Sequence, residues 1–179
     1  MKIYSITQSD KYKALIDADQ VKNLQQFATK LAYGDTTLAC ESRVYRVMYN
    51  SDDKNKAALS DFFTFFRPVL VISGKAYGEL DFLQAYPQVK LLGPRVGDVA
   101  VFVTELLPGV FDCEQSDYDI GEGGYVVYKA VLKMPENYSG EIFRVPENPQ
   151  ALYVNQVFKN TVESKNLKGL VFKEVAYSN

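Results

Sequence analysis

One segment of this chain repeats the plan of another. Leu70-Val71-Ile72-Ser73-Gly74-Lys75-Ala76-Tyr77-Gly78-Glu79-Leu80 is echoed by Leu152-Tyr153-Val154-Asn155-Gln156-Val157-Phe158-Lys159-Asn160-Thr161-Val162. In each, a short apolar run leads to a side chain that accepts a hydrogen bond from the open N–H groups of a helix, Ser73 in the first and Asn155 in the second. Apolar residues then recur at 76, 77 and 80, or at 157, 158, 161 and 162, as they do on one helical face. A second apolar run closes each unit: Val89-Lys90-Leu91-Leu92, and Leu167-Lys168-Gly169-Leu170-Val171-Phe172. The pattern implies two weakly similar strand–helix–strand units within an α+β fold, a mixed β-sheet with a few packed helices. Two units are too few for a solenoid, and 179 residues suit a single domain.

The remaining chain supplies more strands than helices. Residues 2–7 alternate as a short strand does. Val21, Leu24, Ala28 and Leu31 predict a helix over about 18–32, capped by Asp17 or Asp19 and ended at Gly34. Residues 36–49, ending in Val44-Tyr45-Arg46-Val47-Met48-Tyr49, read as a strand. Residues 51–56 are a polar loop or helix start. Phe62, Phe63, Phe65 and Phe66 cannot share one helical face, so some must meet a second packing surface. Pro68 stops any helix before it, and Val69-Leu70-Val71-Ile72 is a buried strand. Further strands are expected at 99–107, 125–132, 141–145 and 169–175, with the polar, glycine-rich stretch 112–124 as a long exposed loop or a loop with a small turn.

Composition narrows the chemistry. The chain has no histidine, so Ser-His-Asp and Cys-His arrangements and histidine-ligated metals are excluded. Carboxylate, lysine and magnesium chemistry stay open. A net charge of -2 gives no broad pull toward nucleic acid or anionic lipid, so neither is expected as a partner. Cys40 reads as a small buried hydrophobe. Cys113 lies between Asp112 and Glu114, whose charge disfavours a reactive thiolate. One bridge between the two stays open, and a reducing compartment is the simpler setting. The opening residues lack a signal peptide's apolar core, so the cytoplasm is the expected location.

No basic residue falls between Arg95 and Lys129, while seven acids do: Asp98, Glu105, Asp112, Glu114, Asp117, Asp119 and Glu122. Such a stretch is either a solvated loop or a patch that meets a basic partner, where it would speed encounter. Residues 117–122 lack the calcium-loop pattern, so no metal is expected. Gly121-Glu122-Gly123-Gly124 lacks both phosphate-loop patterns and is flanked by acids. Ser51-Asp52-Asp53-Lys54 matches S-x-x-K at a frequency chance explains. No cofactor is expected. Arg67 and Arg144 each abut an apolar strand-like segment, and one beside the acidic stretch would anchor it by a bidentate pair.

Several segments resemble a bacterial immunity-protein family of polymorphic toxin systems, first described in myxobacterial genomes and long catalogued as a domain of unknown function. They are Asp61-Phe62, Val71-Ile72-Ser73 running to Leu80, Phe111-Asp112-Cys113-Glu114-Gln115-Ser116, Ile142-Phe143-Arg144-Val145, Leu152 to Phe158, and Leu167 to Phe172 around Gly169. The resemblance spans roughly 60–175. It divides the chain into an N-terminal part, 1–55, that matches loosely and a family-like part, 56–179. Asn155 stands where the family commonly has serine, which still permits capping. The resemblance implies a non-enzymatic protein that binds a cognate protein toxin. Asp112, Glu114, Asp117, Tyr118, Asp119, Glu122 and Tyr125 are the expected partner-facing set, and Ser73, Asn155, Phe143, Arg144 and Gly169 the structural set. The rival expectations are a small carboxylate-dependent enzyme and a homo-oligomer joined through the Phe-rich segment.

Overall fold

A computed structural model describes residues 2–35 and 44–177. Cys40 and the early part of the 36–49 strand lie outside the described residues. In chain order the elements are β1 (Ile3–Gln8), β2 (Leu15–Asp17), α1 (Leu24–Ala32), β3 (Tyr45–Tyr49), β4 (Phe62–Phe63), β5 (Val69–Ile72), α2 (Gly74–Glu79), a 3-10 turn (Asp81–Ala85), β6 (Gln88–Leu92) and β7 (Val99–Phe102). They continue with β8 (Asp117–Gly121), β9 (Gly124–Lys129), β10 (Val131–Leu132), β11 (Ile142–Val145), β12 (Asn148–Asn155), α3 (Gln156–Ser164) and β13 (Leu170–Tyr177). The fold is α+β, as expected.

The strands form a 6-stranded sheet in the order β2-β3-β6-β7-β5-β4, a 5-stranded sheet in the order β10-β13-β1-β12-β11, and the separate hairpin β8-β9. The echo is real at the level of wiring. β5 and β6 flank β7 and are antiparallel to it. β12 and β13 flank β1 in the same way. β4 then adds antiparallel to β5 as β11 does to β12, and β3 adds parallel to β6 as β10 does to β13. Each unit is therefore a split β-α-β, with a third strand between its parallel pair. That strand comes from the other half: β1 opens the chain and lies in the second half's sheet, whereas β7 opens the second half and lies in the first half's sheet. The segments after them also match. Ala57 exchanges N–H···O bonds with residues 11–13 (Lys13 N to Ala57 O, Ala57 N to Lys11 O, both 2.9 Å), as Arg144 does with residues 105–107 (Leu107 N to Arg144 O, Arg144 N to Glu105 O, both 2.9 Å).

The register explains the burial. Phe62, Leu70, Ile72, Val99 and Val101 on one sheet and Ile142, Leu152, Val154, Tyr4 and Ile6 on the other share a single core with Ala76 of α2 and Phe158 of α3. On the reverse face of the 6-stranded sheet, Phe63, Phe66, Val69, Val71, Ala100 and Phe102 are sealed by Leu24, Phe27, Ala28 and Leu31 of α1. On the reverse face of the 5-stranded sheet, Ile3, Phe143, Tyr153 and Val175 meet Val110, Phe111 and Leu132. The Phe run is thus no helix. Phe62 and Phe63 are neighbours in a strand, so their side chains enter opposite cores, while Phe65 stays 53% exposed.

Helix ends follow the expected chemistry, with one shift. Ser73 Oγ accepts from Ala76 N at 3.1 Å, and Asn155 Oδ1 accepts from Phe158 N at 2.9 Å. Gly34 has φ +93 and donates to Leu31 O at 3.1 Å, closing α1. The predicted start of α1 was too early. Asn23 caps it by accepting from Gln26 N at 2.9 Å, and Asp17 reaches in from β2 to accept from Leu24 N and Gln25 N at 2.8 and 3.0 Å. Val21, outside the helix, is exposed. Gly169 has φ +113, which side chains disfavour, and a Cβ there would collide with Ser60 Oγ.

Candidate functional site

Residues 112–124, expected as a loop, begin with a turn and continue as a hairpin. Asp112 makes the turn. Its Oδ1 accepts from Glu114 N and Gln115 N at 3.0 and 3.3 Å, and its Oδ2 receives Lys133 Nζ at 3.3 Å. It is 2% exposed, so it leaves the partner-facing set: its carboxylate is consumed by the fold. Asp98 leaves the acidic stretch too. It is buried and held bidentately by Arg95, with Nε to Oδ2 at 3.1 Å and Nη2 to Oδ1 at 2.9 Å.

The hairpin pairs Tyr118 with Val127, Asp119 with Val126, Ile120 with Tyr125 and Gly121 with Gly124, across a turn at Glu122-Gly123. Gly124 has φ +107, a conformation suited to glycine in a tight connection. Because paired residues share a face, Tyr118, Ile120, Tyr125 and Val127 lie on one side and Asp119, Val126 and Tyr128 on the other. The first side fastens the hairpin. Tyr118 and Tyr125 stack edgewise on Phe111 with centroids 5.7 and 6.2 Å away, and lie 5.3 Å from each other. These two tyrosines are therefore anchors first and surface second. Desolvation, followed by the neighbouring Cys113 thiol, raises the phenol pKa of Tyr118.

The second side is free. Tyr128 donates to Asp119 Oδ2 at 2.9 Å, and that hydrogen bond raises the pKa of its phenol. On this side Tyr128 is 60% and Val126 50% exposed, and Ile120, on the first side beyond the tyrosine pair, is 70% exposed. Glu114, Asp117, Asp119 and Glu122 are exposed around them. The result is a two-stranded element with exposed apolar side chains on both sides, flanked by carboxylates. Ile120, Val126 and Tyr128 were missed in the sequence. The signal was present: Asp117-Tyr118-Asp119-Ile120 alternates with period two, then a glycine turn, then a β-prone run, which is a hairpin pattern.

The expected structural residues are placed as follows. Ser73 and Asn155 cap α2 and α3. Phe143 is buried and stacks on Tyr153 at 5.6 Å. Arg144 is 2% exposed and forms no ion pair among the described residues. Its Nη1 reaches the carbonyl oxygens of Leu31, at the C-terminus of α1, and Pro149 at 3.4 and 3.3 Å, and Nε has no partner among the described residues. The expected bidentate anchor of the acidic stretch is thus neither Arg67 nor Arg144; the only bidentate pair there among the described residues is Arg95 with Asp98. Burial lowers the pKa of Arg144. Cys113 is an exposed free thiol. Among the described residues no group of three or more His, Cys, Asp or Glu side chains is placed to hold a metal ion. No helix among them is long and apolar enough to cross a membrane.

No family model matches the chain, and no curated protein matches it at a significant level.

Proposed function

We propose that this chain is an immunity protein of the cytoplasm, which binds a cognate protein toxin and blocks it by occlusion, with β8-β9 as the docking element. The observation that carries the reading is the exposure of Ile120, Val126 and Tyr128 among Glu114, Asp117, Asp119 and Glu122. A hairpin on its own is marginally stable, and exposed apolar strips invite association. A protein surface that wraps the hairpin from both sides with a basic rim satisfies both its apolar and its acidic side chains. Apolar and aromatic anchors supply affinity at the centre, and carboxylates at the edge supply steering. The segment-by-segment resemblance to an immunity family points to a toxin as the partner. A stable complex of this kind buries about 1,600 Å² in all, so the hairpin is the core of a larger contact.

Co-expression with the products of adjacent reading frames tests the proposal. A co-purifying toxin, and growth protection lost in an Ile120→Ser/Val126→Ser/Tyr128→Ser variant, is the expected outcome. A chain that protects against no neighbouring gene product, or that dimerises through the hairpin, would sink it.

A further inference from the structure

The two sheets, aligned by their registers, differ at one place in a way that opens a cavity. In the 6-stranded sheet Val71 pairs with Ala100, which pairs with Val89. In the 5-stranded sheet Tyr153 pairs with Ser5, which pairs with Lys173. The two rows are equivalent, because Phe63 faces Val71 as Phe143 faces Tyr153. Ser5 therefore stands where Ala100 stands, and Lys173 where Val89 stands. One step further on the same face, Thr7 takes the place of Phe102.

The first row is sealed, with Phe27 of α1 packed on Phe102 at 4.6 Å. In the second row Tyr153 is buried in the core beneath Phe143, but Ser5 is half-buried and Lys173 exposed, and no helix covers them. A cavity of about 340 Å³ lies beside it, lined by Ser5, Lys173, Arg67 and β9 residues 127–129. Arg67, Lys129 and Lys173 all line it. Among the described residues none of these side chains has a carboxylate or hydrogen-bond partner. The one carboxylate in the lining, Glu174, is held by Lys2 Nζ at 3.1 Å. Three cations therefore line one cavity: Arg67 is half-buried, and Lys129 and Lys173 are exposed, with Lys129 opposite Asp117 in the hairpin register but not ion-paired to it. Burial of Arg67 also lowers its pKa, and among the described residues no carboxylate pairs with it to offset that desolvation.

We infer that this cavity binds a small phosphate-bearing molecule, its phosphate on Arg67 between Lys129 and Lys173. A guanidinium presents paired donors that match phosphate oxygens, and two ammonium groups complete the neutralisation of a dianion. The cavity is at the small end of the range for ligand pockets, which runs from about 300 Å³, so it suits a small molecule and not a macromolecular backbone. The inference does not depend on toxin binding, and its test involves no toxin.

Calorimetry at fixed ionic strength, with inorganic phosphate, pyrophosphate and succinate as probes, decides it. Phosphate is expected to bind saturably at one site, pyrophosphate more tightly, and succinate at least about tenfold more weakly than phosphate. Arg67→Met is expected to weaken phosphate at least about tenfold without lowering the melting temperature, since it removes an unpaired, partly desolvated charge. Arg67→Lys is expected to fall between. Should Arg67→Met fail to fold, Lys129→Met/Lys173→Met carries the same expectation. Absence of saturable phosphate binding, succinate as tight as phosphate, or parent-like affinity in these variants would overturn the assignment.

Discussion

The two halves of the molecule share a wiring and differ in what covers it. Between its leading strand and the strand that later adds to its sheet edge, the first half carries β2 and α1, whereas the second carries the hairpin β8-β9. The helix turns Leu24, Phe27, Ala28 and Leu31 onto a sheet face and leaves them nearly unexposed. The hairpin turns only Tyr118 and Val127 inward as partly buried members of its core, and holds Ile120, Val126 and Tyr128 to solvent. One cover is used for stability. The other is attached through a three-ring contact and is left free to meet something else. The cavity beside β9 belongs to the same difference, since it lies where the other half has its lid.

The comparison can be broken most readily at the equivalent pair Phe102 and Thr7. Phe102→Ala is expected to cost about 3–5 kcal/mol, as for large core truncations, whereas Thr7→Ala, at an exposed position, should stay within about 0.5 kcal/mol. Denaturant unfolding of both variants measures this, and equal losses would mean that the second half's face is as sealed as the first. Gly169→Ala comes next, at about 1–3 kcal/mol, because it forces a side chain into a left-handed conformation against Ser60. The two caps sharpen the likeness of the halves. Ser73→Ala and Asn155→Ala should each cost about 1 kcal/mol, and a cost confined to one would show that the units are not energetically alike.

Acid should act on the first half through Asp53. Its Oδ2 accepts from Ala14 N at 2.8 Å and its Oδ1 holds Lys56 at 2.7 Å, so its folded pKa lies below the ordinary carboxylate value. The stability it contributes is complete above that ordinary value and disappears as pH falls through the lower, folded one. Asp53→Asn should therefore flatten the acid limb of a stability–pH curve and leave the neutral region parallel to the parent. The smallest effect is expected in the hairpin. Ile120→Ser, Val126→Ser and Tyr128→Ser should each shift unfolding by no more than about 0.5 kcal/mol, since these side chains are at least half exposed and the Tyr128 hydrogen bond to Asp119 lies at the surface.

The repeat was legible in sequence because caps and apolar runs are local signals: Ser73 and Asn155 name their helices without help from the rest of the chain. The strand inserted between each parallel pair was not legible, since pairing of β1 with β12 and β13 joins the two ends of the sequence and no local pattern encodes it. The acidic stretch was read by composition, which hid its alternation. Charge suggested solvent for every carboxylate, yet Asp112 and Asp98 are interior because backbone N–H groups, Lys133 and Arg95 neutralise them. Tyr118 and Tyr125 were read as aromatic members of the acidic stretch, and the contact with Phe111 that makes them anchors depends on tertiary packing. Arg67 was read as a structural anchor, and only the register of two separate sheets brings it to a cavity with Lys129 and Lys173.

Hydrogen–deuterium exchange on the chain alone and mixed with the toxin encoded beside it tests the docking claim most directly. The account predicts new protection across 117–129 on mixing, with the amides of α1 unchanged. Protection that falls on α1 or elsewhere, while the hairpin exchanges as it does in the free chain, would contradict it.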